Sequence, residues 1–268
     1  MKKIISLVAV SILFIVGLTS CGEKKVDEKS LEIKVGATPV PHAEILEVAK
    51  EELAEKGYSL EVVEFTDYVT PNLALSDGEI DANFFQHIPY LEEFAKERNL
   101  DLVSAGGVHV EPMGLYSEKI KDFADLKDGS VIAIPNDPSN GARALILLQT
   151  NGLIKLDPSA GLKATEYDIT ENSRNFKFEA LEAAQLPRVL SDVDAAVING
   201  NYAIESGLNP VKDALIIEGA ESPYVNIVAV KTGEEKSEKI TALMTALKSE
   251  KVKTFIQEKY QGGVVPIF

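Results

Sequence analysis

In this 268-residue chain, an arginine near a helix start, a run of aromatics with a histidine, and two asparagines have the chemistry to hold a small molecule. Arg143 follows the turn PNDPSN, in the first turn of the helix predicted for GARALILLQTNG. A cation there opposes the helix dipole at a cost of about 0.3–1 kcal/mol. A ligand carboxylate at that helix end would offset this by accepting a bidentate hydrogen bond from the guanidinium. The alternative is an exposed arginine bent back into solvent. A second cluster lies in DANFFQHIPYLEEF (81–94), where Phe85, His87 and Tyr90 follow a strand, and Tyr68 follows the preceding one. One of Phe84 and Phe85 must be an ordinary core aromatic, because they point to opposite faces. The other, with the histidine, suggests a mostly apolar pocket with a polar handle. Asn199 and Asn226 add amides at matching levels, or else satisfy loop backbone.

The elements that would position these residues occur in two similar sets. LEIKVGA (31–37) reads as a strand, AEILEVAKEELAEKG as a helix with Ile45, Ala49 and Leu53 on one face and Gly57 closing it, and LEVVEF as a second strand. Later, SVIAI (130–134) is strand-like and the helix after PNDPSN closes at Gly152. GEIDANFF (78–85) and SDVDAAVI (191–198) then each carry Asp-Ala into an extended segment. Two proline-bearing extended joins, VHVEPMGLYS (108–117) and ESPYVNIVAV (221–230), connect the sets, and amphipathic helices near 237–248 and 250–260 should pack back on the first. The expectation is an α/β, two-lobed periplasmic-binding-protein-like fold. Lobe 1 takes 31–112 and 225–268, and lobe 2 takes 113–224. The two crossovers form a hinge near Pro112 and Pro223, with a ligand cleft between the lobes.

The chain opens MKKIISLVAVSILFIVGLTSCGEKK. Two lysines, an apolar run and small residues before Cys21 fit a lipoprotein signal peptide over 1–20, with Cys21 as the lipidation site. Residues 21–30 then form a polar lipidated tether, reaching at most about 30 Å at ~3.3 Å per residue. The expected location is the extracytoplasmic face of the cell membrane, held by lipid alone. Cys21 is the single cysteine, so no intramolecular disulfide is available. A net charge of −15 argues against binding nucleic acid through a general field.

The runs FTDYVTPNLAL, DANFFQHIPYLEEF, IAIPNDPSNGARALILLQTNGLIKL and ESPYVN resemble those of the NlpA-type lipoprotein family, the methionine-binding components of methionine ABC importers. The resemblance covers essentially all of the chain after the signal peptide. It implies a monomeric, non-enzymatic binding protein, without a cofactor, that captures methionine or a close analogue and delivers it to a permease with its ATPase. It further implies that Tyr68, Phe85 and His87 surround the thioether and that Arg143 holds the carboxylate. Asn199 and Asn226 would bind the α-amino or carboxylate group, and Asn140 is a further candidate. The chemistry agrees: a thioether between rings gains about 0.3–1.5 kcal/mol per contact, and a zwitterion needs both a cation and acceptors.

Two other readings compete. A metal-binding (zinc or manganese) solute-binding lipoprotein would need converging ligands; the chain has His42, His87 and His109 but no recognisable ligand spacing, so no metal site is expected. An enzyme would need a nucleophile motif such as G-x-S-x-G, S-x-x-K or H-E-x-x-H, and none occurs.

Overall fold

The computed structural model describes residues 31–219 and 222–268. The signal peptide expected over 1–20, Cys21 and the tether to residue 30 lie outside these. Among the described residues no helix is long and apolar enough to cross a membrane.

Strands β1 (Glu32–Ala37), β2 (Ser59–Glu64), β3 (Ala82–His87), β4 (Leu102–Val110), β12 (Val225–Lys231) and β13 (Val265–Pro266) make a six-stranded sheet in the order β13-β4-β12-β3-β1-β2. β5 (Gly114–Tyr116), β6 (Val131–Pro135), β9 (Lys177–Leu181), β10 (Ala195–Ile198) and β11 (Ile216–Ile217) make a five-stranded one in the order β11-β5-β10-β6-β9. β7 (Lys155–Leu156) and β8 (Ile169–Glu171) pair separately. One end of each large sheet is parallel, β3-β1-β2 and β10-β6-β9, and the strands that complete the other end pair antiparallel. The chain passes from the first sheet to the second over 111–113 and returns between Ile217 and Val225.

Helices cover both sheets. α1 (Glu44–Glu55) buries Ile45, Leu46, Ala49 and Leu53 against β1 and against α7 (Glu238–Leu247) and α8 (Glu250–Tyr260). The last two are capped by Ser237 and Ser249. On the opposite face lie α2 (Thr70–Asp77) and α3 (Ile88–Arg98), with Leu75 and Leu91 in the core. In the second set α4 (Pro138–Thr150) buries Ala142, Leu145 and Leu148 on β6 and β10, and α5 (Gly200–Glu205) and α6 (Pro210–Asp213) follow β10. Gly57 and Gly152 end α1 and α4 at φ +83° and +75°, where a side chain would be strained.

The recurring Asp-Ala pair has a physical reason. Asp81 Oδ2 accepts the Lys34 N–H at 2.7 Å, while the Asp81 N–H donates to the Lys34 carbonyl at 2.8 Å. Asp194 makes the same two bonds to Val131, at 2.8 and 3.0 Å. Each carboxylate therefore stands in for a backbone acceptor at the start of a buried parallel strand, and the alanine after it packs in the core.

Candidate functional site

All six residues of β3 are buried, so neither face meets bulk water. Phe84 joins the core under α1, and Phe85 points the other way, towards Tyr90 and Phe94. Tyr68, from the loop before α2, lies 5.8 Å from both Phe85 and Tyr90, centroid to centroid. The Tyr90 hydroxyl donates to the Tyr68 carbonyl at 2.8 Å, and the Tyr68 hydroxyl donates to Asn201 Oδ1 at 2.5 Å. The aromatics thus form a cage with its own hydrogen bonds satisfied.

His87 caps α3: its Nδ1 accepts the Tyr90 N–H at 3.2 Å, which leaves the proton on Nε2, 3.1 Å from Asn140 Oδ1. Burial holds the imidazole neutral, with its pKa lowered to about 3. Both ring nitrogens are engaged, so His87 offers a ligand its ring face.

The structure corrects the placement of Arg143. PNDPSN is only half a turn, because α4 begins at Pro138 with Asp137 as N-cap, accepting the Asn140 N–H at 2.8 Å. An Asp–Pro pair is a strong helix start, so Arg143 stands in the second turn. It is 3% exposed, which removes the solvent-turned alternative. Its Nε and Nη2 donate to Glu218 Oε1 and Oε2 at 2.8 and 2.5 Å, Nη2 also reaches the Glu111 carbonyl at 2.8 Å, and the Tyr224 ring lies 4.3 Å from its carbon. Among the described residues Nη1 has no protein partner.

Asn140 is fully used: its Nδ2 donates to Asp137, and its Oδ1 accepts from His87 and, at 2.8 Å, from Asn199 Nδ2. Asn199 Oδ1 is left buried without a partner. Asn226 Oδ1 accepts from His42 Nε2 at 3.1 Å.

Tyr68, Phe85, His87, Asn140, Arg143, Asn199 and Asn226 all border one cavity. Sequence reasoning missed four others on its wall: Gln86, Glu111, Gly200 and Asn201. It also left out Tyr90, although naming it in the aromatic cluster, and the two residues that brace Arg143, Glu218 and Tyr224. Glu111 and Tyr224 sit beside Pro112 and Pro223, the joins already visible in the sequence, so position was the available signal.

The expectation that no metal-type ligands converge is also corrected. His42, His109 and Glu111, all buried, bring ligand atoms within 4.8 Å of one another. They are distant or oddly spaced in sequence and meet only because β4 crosses towards the loop after β1. Within the cluster Glu111 Oε1 is 3.1 Å from His42 Nε2 and 2.7 Å from His109 Nε2, and the Thr38 hydroxyl is 2.7 Å from His42 Nδ1, while His109 Nδ1 is buried without a partner. Burial keeps both imidazoles neutral, lowering His42 to about 4 and His109 to about 3.

Gly200 allows this packing. A Cβ there would lie 2.9 Å from the Glu111 Cβ and 3.1 Å from the Pro112 carbonyl. Neither atom is the far end of a flexible side chain, so Gly200→Ala is expected to lower stability by about 1–3 kcal/mol. Chemical denaturation would check this; an unchanged midpoint would mean that the two walls can part freely.

The NlpA lipoprotein family model matches residues 33–268. Membrane lipoprotein TpN32 of Treponema pallidum is 46% identical over 250 residues, 93% of this chain and 92% of that one. The methionine-binding lipoprotein MetQ of Bacillus subtilis is 45% identical over 273 residues, covering 100% and 99%. A nutrient binding protein from Burkholderia cenocepacia, solved bound to methionine, superposes with a TM-score of 0.86 at 47% identity, covering 88% of this chain and 100% of that one. With a family match over nearly the whole described chain and relatives at this identity, the protein belongs to the NlpA lipoprotein family.

Proposed function

We propose that the protein is the solute-binding lipoprotein of an ABC importer and that it captures methionine. The observation that carries this is the two-ended cavity. Tyr68, Phe85, the His87 face and Tyr90 form an apolar aromatic slot, and Arg143, Asn199, Asn201 and Asn226 form a polar end. A thioether suits the first and an amino-acid backbone the second. The B. cenocepacia relative solved with methionine supports the choice of ligand.

In this reading the lobes are 31–112 with 225–268, and 113–224. Five hydrogen bonds span them: Tyr68 to Asn201, His87 to Asn140, Tyr202 to the Thr66 carbonyl, Lys163 to Glu93, and Arg143 to the Glu111 carbonyl. They support a closed form about the crossovers, which a permease would read as occupied. Lipid on Cys21 would keep the monomer at the outer face of the membrane, within the reach of the 21–30 tether.

Protein stripped of ligand by unfolding and refolding is expected to bind methionine tightly in calorimetry. Norleucine should bind less well, and glutamate not measurably, because its second carboxylate would be buried without a cation. Glutamate binding as tight as methionine would overturn the assignment.

A further inference from the structure

Three side-chain amides are buried together behind the aromatic slot. Asn72, in the first turn of α2, and Gln86, on β3, exchange two hydrogen bonds. Asn72 Nδ2 donates to Gln86 Oε1 at 2.9 Å, and Gln86 Nε2 donates to Asn72 Oδ1 at 2.7 Å. Asn83 closes the ring. Its Nδ2 donates to Asn72 Oδ1 at 2.8 Å and to the Pro71 carbonyl at 3.2 Å, and its Oδ1 accepts from Gln86 Nε2 at 2.8 Å. Asn72 and Asn83 are fully buried and Gln86 nearly so. Such a ring adds little net stability, because each bond replaces one made to water in the unfolded chain. Displacing one member, however, strands the other two in a dry interior. The ring therefore fixes position more than it stabilises.

What it fixes is a bulge in β3. On β12, Ile227 lies opposite Gln86 and Val228 opposite Phe84, so Phe85 is an extra residue with no partner there. On the other side β1 pairs with Ala82, Asn83 and Phe84 and goes no further. In an unbroken strand residues 83 and 86 face opposite sides. The extra residue turns Gln86 round to meet Asn83 and re-aims the side chain at the bulge. Phe85 is thus registered by neither neighbouring strand, and the amides flanking it set its direction.

We propose that the ring of Asn72, Asn83 and Gln86 sets the length of side chain that the slot accepts. It joins the two elements that carry the slot walls. Phe85 and His87 flank Gln86 on β3, and Tyr68 stands on the loop entering α2, four residues before Asn72. Gln86 borders the cavity, whereas Asn72 and Asn83 stand behind it, so those two are positioning residues that act through Phe85 and Tyr68. This deepens the methionine reading and rests on it.

The test compares three ligands by calorimetry on refolded protein: methionine, ethionine, which is one methylene longer, and S-methylcysteine, which is one shorter. All three share the amino-acid end, so ratios of affinity report on the slot alone. Wild-type protein is expected to favour methionine over each by at least tenfold, since one methylene in a fitted apolar pocket is worth about 10–200-fold. Asn72→Leu, at a residue behind the cavity wall, should cut the advantage over ethionine to threefold or less. The triple change Asn72→Leu, Asn83→Leu and Gln86→Met strands no amide. It should regain the denaturation midpoint lost by Asn72→Leu and still fail to discriminate. Variants that weaken all three ligands equally, with ratios kept, would show a structural role only and overturn the proposal. Wild-type protein that takes ethionine within threefold of methionine would overturn it too. Should Asn72→Leu fail to fold, the triple variant decides, and a triple variant that also fails to fold would show that the ring chiefly stabilises, which again overturns it. Wild-type protein that binds none of the three would instead defeat the functional reading beneath it.

Discussion

Arg143→Ala is expected to lower methionine affinity at least 100-fold and to destabilise the unliganded protein by about 3–5 kcal/mol. The second figure is the larger surprise for a residue that reads as a ligand contact. It follows from what the arginine leaves behind: Glu218 loses both hydrogen bonds to the guanidinium, and the Glu111 carbonyl loses one. Removing one member of a buried ion pair costs several kcal/mol because the survivor's charge is stranded. Glu218 keeps only the Met113 N–H, at 3.0 Å. The affinity falls further because the stranded carboxylate then faces the ligand's own. Arg143→Lys should recover part of the stability and little of the affinity, since an ammonium cannot make the planar fork. The double change Arg143→Ala with Glu218→Ala separates the two effects: it should regain stability and leave affinity low. Denaturant titration and calorimetry on the same samples read both. A stable, tightly binding Arg143→Ala protein would contradict the geometry.

The second large effect is acid lability. The chain has three histidines, and all are buried, with pKa values lowered by burial from 6.5 to about 4 for His42 and about 3 for His87 and His109. In the unfolded chain they take up protons near pH 6.5; in the folded chain they resist. Their stabilising contribution is thus complete above about pH 7 and is lost as pH falls from 6.5 towards 4 and then 3. Each group contributes a slope of up to about 1.4 kcal/mol per pH unit in that window. Glu111 acts in the opposite sense, because burial raises its pKa and the folded state takes its proton first, which offsets part of the loss. The melting temperature is expected to fall steeply between pH 6 and pH 4. A flat profile over that range would show that at least two of the imidazoles are charged in the folded protein.

Much of this was legible in the residues, for reasons that can be named. The strand–helix units read correctly because Ile45, Ala49 and Leu53 hold helical spacing and Gly57 and Gly152 mark the ends. All seven candidate side chains border the cavity because in α/β units the residues after strands and at helix starts converge. The polar support was not legible. His42 and His109 are 67 positions apart in the sequence and are joined by a carboxylate, Glu111, that sits in a proline-bearing join. Glu218 likewise meets Arg143 across 75 residues. No periodicity records such long-range pairs; they exist only once the sheets are formed. The helix start at Pro138 was misread for a local reason, since an Asp–Pro pair serves turns and helix N-termini alike.

The route of the chain through the two sheets carries a consequence for the order of assembly. Every strand of the five-stranded sheet comes from one continuous stretch, 114–217, so its contacts can form as soon as that stretch is available. The six-stranded sheet is different: β12 is wedged between β3 and β4, and α7 and α8 cover the apolar face of α1. Until residues 225–268 arrive, β3 and β4 lack the strand between them, and Ile45 and Leu46 lack their cover. Closing those loops carries the higher entropic cost and the slower rate. The part of the protein made first is therefore the part completed last, and the chain's final helices act as the fastener that ends folding.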